Sequence, residues 1–285
     1  MTQPDDRRSR PWLMLATGVA ALSLASLMYP TKTLTAPIPD IVEMKDMTWL
    51  EVRSALQSGF TTAVVPTGGI EQNGPHMILG KHDYLVGYAA RQIAKEVGKT
   101  LVTPVVSYVP EGEFDPPTGH MRFPGTLGIS EQAFAGVLEG IARSLKNAGF
   151  KVICFIGDHG QSQSVQADVA ARLSREWEKA GVRVVQIGSY YAVPSQTKRL
   201  KDSGYTMAQI GYHASIIDTS ELLAVNPKGV DLGRYSRSFL PQENSGVIGN
   251  PTPSNEKLGA TLIRMRIEAA SAQIRSVIAV GDKRP

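Results

Sequence analysis

Apolar residues recur at helical spacing in four stretches of this 285-residue chain, and short β-branched or apolar runs lie between them. The helical stretches are Thr48–Gly59, Asp83–Gly98, Ser130–Gly149 and Ser162–Gly181. Thr48 and Glu51 have the spacing of a capping box, Ser130 opens the third stretch, and Gly98 and Gly149 close theirs. The intervening runs, "TTAVVPTGG", "TLVTPVVSYV", "KVICFIG" and "VRVVQIGSYY", read as strands. Their apolar positions are continuous rather than alternating, as in strands covered on both faces. The β-α-β-α order therefore predicts an α/β fold, a three-layer α/β/α sandwich around a mostly parallel sheet.

The first thirty residues break this pattern. "RRSRP" precedes an uncharged apolar run of eighteen residues, Trp12–Tyr29. A basic region followed by an apolar one predicts a secretory leader, with Ser23-Leu24-Ala25 as a cleavage site. The run is also long enough to remain as a membrane anchor. Residues 1–30 are thus read as a leader or anchor, 31–46 as a Pro- and Thr-rich linker, and 47–282 as the globular domain. A location outside the cytoplasm, periplasmic or extracellular, or anchored to the membrane, follows from that reading. The net charge of +4, from 30 basic and 26 acidic residues, is small and dispersed, which argues against a nucleic-acid surface. Cys154 is the only cysteine, so an intramolecular disulfide and a cysteine metal cluster are excluded; its apolar setting predicts a buried thiol.

In parallel sheets, ligands bind beyond the carboxyl ends of the strands. Three polar, glycine-bearing loops open there. The first is "EQNGPHMILGKHD", Glu71–Asp83, with His76 and His82. The second, "PEGEFDPPTGHMRFPGT", carries His120. The third, "GDHGQSQ", carries Asp158 and His159. The first loop alone can be read as a metal loop or as a polar turn. With His159 arriving from a second strand end, a carboxylate and two imidazoles suit a divalent ion such as Zn²⁺.

Four blocks in order resemble the creatininase (creatinine amidohydrolase) family. "GGIEQNGPHMILG" is similar to its G-x-x-E-Q-H-G-P-H-L-P-L motif, and "HMRFPGTLGIS" to its H-M-x-F-P-G-T-I-S block. "GDHGQS" stands where the family has N-G-H-G-G-N, and "HASIIDTSELLAVNP" resembles H-A-x-x-x-E-T-S. The resemblance implies a homo-oligomeric, metal-dependent amidohydrolase that cleaves an amide or cyclic amide C–N bond of a small molecule with metal-activated water. The ligand positions it implies are Glu71, His82 and His159, with Asp83 as the alternative to His82. Asn73 and Gln161 fall where the family has second-metal ligands. Neutral amides there imply one ion, Zn²⁺ or else Mn²⁺, rather than two, unless Asp83 or Asp158 bridges a second. His213 matches the family's proton-shuttling histidine, and His120 is a pocket-lining candidate. Tyr212 replaces an acidic residue found before that histidine in creatininase itself, which argues against creatinine as substrate. The alternative reading is a catalytically silent ligand-binding protein that kept the fold.

Overall fold

The computed structural model describes residues 41–238 and 242–282. The expected leader and residues 31–40 of the expected linker lie outside the described residues. Four parallel strands, β1 (Thr62–Thr67), β2 (Thr100–Val102), β3 (Val152–Gly157) and β4 (Arg183–Gln186), form a sheet of order β2-β1-β3-β4. The helices are α1 (Trp49–Gln57), α2 (Lys81–Val97), α3 (Glu131–Ala148), α4 (Gln163–Glu176), α5 (Val193–Asp202), α6 (Met207–Ile210), α7 (Ile216–Val225), α8 (Leu232–Arg237), α9 (Gln242–Ser245) and α10 (Glu256–Asp282). The three-layer expectation holds. Ala63, Val65, Ile153 and Phe155 face a core shared with α1, α3 and α4. Val64, Cys154 and Ile156 face the opposite core, shared with α2 and α10.

The local signals are realised in detail. Thr48 and Glu51 form the reciprocal capping box, Ser130 accepts from Ala133 N, and Gly149 ends α3 with φ +113. Two strands are shorter than the apolar runs that announced them. Regular β2 pairing stops after Val102, just ahead of Pro104, which has no N–H for a ladder, and only an isolated bridge between Thr67 and Val106 follows. After Gln186 the chain turns into a 3₁₀ segment, Gly188–Tyr190. Residues 41–46 also depart from the linker expectation. Val102 N donates to Val42 O and Glu43 bridges Val102, while Val42 and Met44 pack against the cores, so this piece extends the sheet edge.

β1 lies beside β2 on one side and β3 on the other, with Thr67 opposite Gly157 at the carboxyl end. The chain leaves β1 in one direction and returns to its other side for β3. The crevice of a parallel sheet opens at such a reversal. Glu71 follows β1 and His159 follows β3, so the sheet order brings these loops together.

Candidate metal centre

Glu71 is fully buried just past β1, its amide donating to Leu79 O within the folded-back loop. Its carboxylate is a hub. Oε1 lies 2.6 Å from His82 Nε2 and 3.6 Å from Lys81 Nζ, both on the first turn of α2. Oε2 lies 3.0 Å from His159 Nε2 and 3.1 Å from His120 Nε2. Glu111, in the loop after β2, places Oε2 3.1 Å from the same His159 nitrogen. The absence of a Cβ at Gly69 admits this carboxylate, since a Cβ there would sit 2.9 Å from Glu111 Oε1. Ligand atoms of Glu71, Glu111, His120 and His159 lie within 4.8 Å of one another.

His213 reaches the centre from the segment before α7, held by backbone pairing with Ile248. Its Nε2 donates to Gln72 O at 2.9 Å, which leaves Nδ1 toward Glu71 Oε1 at 3.7 Å. The next residue, Ala214, is buried with φ +51, an uncommon conformation for a residue with a Cβ and one that clusters at functional sites. Behind the centre is an ionic scaffold. Asp158 accepts from His82 Nδ1 at 2.5 Å, from Tyr190 Oη at 2.9 Å and pairs with Arg266 at 2.7 Å. Arg266, on α10, also holds Glu221 at 2.9 Å, and Lys81 holds Asp218 at 3.0 Å.

These contacts set the charges. Burial opposes ionisation of Glu71, but the His82 charge and the hydrogen bonds from His159 and His82 hold it well below the usual carboxylate range. Burial also disfavours charge on His159, yet Glu111 and Glu71 push it up to about 9. His82 is likewise raised, because Glu71 and Asp158 outweigh burial and the Lys81 charge. Burial raises Glu111 against the pull of His159. Burial lowers His213, and lowers His120 to about 4, so both are neutral near pH 7.

The structure gathers Glu71, His82, His159, Asp158, Gln161, His120 and His213 around one cavity of about 390 Å³. His82 places Nε2 2.6 Å from Glu71 Oε1 and Nδ1 2.5 Å from Asp158 Oδ2, so one nitrogen faces the centre and the other is anchored behind it. Asp83, the alternative, bonds Gly69 N at 3.2 Å and is not among the cavity residues. Asn73 directs its Nδ2 to the carbonyls of Glu71 and Ile78 and so clasps its own loop. His76 bonds Thr219 Oγ1 at 3.0 Å and is likewise absent from the cavity wall. Glu111, Lys81 and Asp218 carry no motif signal of their own, although Glu111 lies in the loop that carries His120, Lys81 stands beside His82, and Asp218 follows His213 by five residues, on α7. Cys154 is fully buried, its thiol pushed up to about 12 by burial.

Residues 45–274 match the family model described as creatinine amidohydrolase. The chain belongs to the creatininase family. It is 25% identical over 194 residues to the creatinine amidohydrolase of Pseudomonas putida, covering 66% of this chain and 74% of that protein. It is 24% identical over 218 residues to the 3-dehydro-scyllo-inosose hydrolase of Thermotoga maritima, covering 74% of this chain and 66% of that one. Among solved structures, a manganese creatininase superposes with a TM-score of 0.67 at 21% identity, over 83% of this chain and 98% of its own. A Zn–Zn form of a creatininase mutant gives 0.68 at 22% identity, over 84% and 98%. These similarities establish the creatininase fold for this chain.

Proposed function

We propose that this creatininase-family chain is a hydrolase of small amides or cyclic amides, dependent on a divalent ion held by Glu71, Glu111 and His159. The observation that carries this reading is Glu111. Its carboxylate is fully buried against His159 and Glu71, and neither oxygen receives a well-directed hydrogen bond. A buried carboxylate in that state calls for a cation. Two carboxylates and an imidazole suit Zn²⁺, with Mn²⁺ next. Such an ion supplies Lewis acidity and makes water a competent nucleophile near neutral pH. The chain's own residues do the rest. His213, neutral and with Nδ1 bare, takes the proton from the attacking water and returns it to the departing nitrogen. His82 and Asp158 fix the direction of the Glu71 carboxylate, as outer partners of ligands commonly do.

One ion per subunit is favoured over two. Asn73 is occupied with backbone carbonyls, Gln161 is neutral, and the Lys81 ammonium already stands 3.6 Å from Glu71. A second dication would share that space with a fixed positive charge. Metal analysis of dialysed protein is expected to give one tight ion, and two would refute the argument. The ion must displace the His159 proton. Below about pH 9, where His159 is protonated in the ion-free protein, affinity is expected to fall about tenfold per pH unit.

A cavity of about 390 Å³ is of small-ligand size. Turnover of a panel of lactams, formamides and short peptides by zinc-loaded protein tests the reaction class. No turnover by metal-replete protein would leave the second reading, a binding protein. Export or anchoring by residues 1–30 and self-association stand as further proposals. The leader fused to a reporter active only outside the cytoplasm is expected to give signal, and light scattering is expected to give a mass above one chain.

A further inference from the structure

Gln72 makes five hydrogen-bond contacts, and four of them determine which nitrogens of two histidines beside the centre carry protons. Its side-chain oxygen must face Gly74 N, a donor, at 3.0 Å, and its amide nitrogen must face Gly246 O, an acceptor, at 3.1 Å. Gly246, with φ +72, allows this approach, because a Cβ there would sit 1.9 Å from Gln72 Oε1. The amide orientation is therefore set by the backbone on both sides, independently of any choice of rotamer. The same amide nitrogen lies 3.1 Å from His120 Nδ1, so that ring nitrogen accepts. The proton of His120 is then on Nε2, which points to Glu71 Oε2 at 3.1 Å. A doubly protonated ring would set two donors against each other at Nδ1. The backbone oxygen of Gln72 meanwhile takes the Nε2 proton of His213, whose bare nitrogen is Nδ1.

The two rings, with centroids 4.5 Å apart, line both the polar cavity and a second cavity of about 620 Å³ whose walls include Phe123, Val247 and Ile248. Both turn a ring nitrogen to the Glu71 carboxylate at the cavity, a lone pair from His213 3.7 Å from Oε1 and an N–H from His120 3.1 Å from Oε2. We propose that His120 is a catalytic hydrogen-bond donor to the substrate oxygen that gains charge during hydrolysis, not a fourth metal ligand, and that Gln72 is the positioning residue that fixes its tautomer. A ligand nitrogen must offer a lone pair toward the ion, and Gln72 turns that lone pair away. The substrate half of the proposal rests on the hydrolase reading above, whereas the tautomer half does not.

Nitrogen-15 NMR of histidine-labelled protein, with and without one equivalent of Zn²⁺, is expected to show the Nε2–H tautomer for His120 in both states. The Nδ1–H tautomer in the zinc-loaded protein would overturn the proposal. In Gln72→Leu, His120 is expected to become a tautomer mixture while His213, whose partner is the backbone oxygen, keeps its signal; an unchanged His120 removes Gln72 as the positioning residue. His120→Ala is expected to keep zinc affinity within about threefold and lose about 10²- to 10³-fold in kcat, the usual effect of deleting one donor to a developing oxyanion. His120→Gln, which restores an N–H near the Nε2 position, is expected to recover part of that loss. A fall in zinc affinity of tenfold or more in His120→Ala makes His120 a ligand and ends the proposal. If wild-type protein binds no zinc, the metal reading fails on its own, and the ion-free tautomer spectra still decide the assignment.

Discussion

Replacing His159 by alanine is expected to strip the centre of its ion. His159 Nε2 lies between the carboxylates of Glu71 and Glu111, at 3.0 and 3.1 Å. Its loss removes the nitrogen ligand and leaves two buried carboxylates facing each other, which raises the cost of ionising both. Loss of an outer partner of a metal ligand typically costs about 10- to 100-fold in affinity, so loss of the ligand itself is expected to exceed that range. Cys154→Ser provides the control. Cys154 lies on β3, the strand that leads to His159, but its side chain belongs to the core against α2 and α10, and its substitution should leave metal content unchanged. Mass-spectrometric metal analysis after dialysis reads both variants. Equal zinc in wild type and His159→Ala would sink the assignment of this centre.

The sheet and its flanking helices were legible because each carries a local cause. Thr48 with Glu51, Ser130 and Gly149 mark helix ends by hydrogen bonds that span only a few residues, and the apolar strands betray burial on both faces. Strand length was less legible. "TLVTPVVSYV" has six β-branched residues in ten, yet regular pairing ends ahead of Pro104, where the backbone lacks a donor. The end of the expected linker misread for a different reason. Val42 and Glu43 gain their structure from the β2 edge, a partner about sixty residues away that no local pattern announces.

The centre shows the same division. Glu71 and His159 stand at strand ends, and strand order alone brings them together. Glu111 was invisible as a site residue because nothing in "PEGEF" says which of its two glutamates turns inward; Gly69, in a different loop, makes the room. The resemblance offers His82 as a ligand, and that its ring lies between Asp158 and Glu71 is visible only in three dimensions. Lys81 is 1% exposed although lysine is almost never buried, and it is tolerated because Asp218 and Glu71 flank its ammonium. Asp218 shares a motif stretch with His213, but the pairing of its carboxylate with a lysine on another helix has no signature in the chain.

His213→Ala separates proton transfer from metal binding. His213 Nε2 is committed to Gln72 O, and Nδ1 faces the centre 3.7 Å from Glu71 Oε1, farther than a direct bond. The residue is therefore placed to exchange a proton with water or a leaving nitrogen without holding the ion. Removal of a positioned acid–base group typically costs about 10²- to 10⁴-fold, so kcat is expected to fall within that span while the zinc content stays at one per subunit. The pH dependence has a definite sign. A base works in its deprotonated form, and burial together with the Lys81 charge lowers the His213 pKa below the ordinary histidine value. The acid limb assigned to this group should then lie below pH 6.5, and in His213→Ala that limb should disappear from the remaining activity. Loss of zinc in His213→Ala would instead make His213 a ligand and transfer the proton-exchange role to another group on the cavity wall.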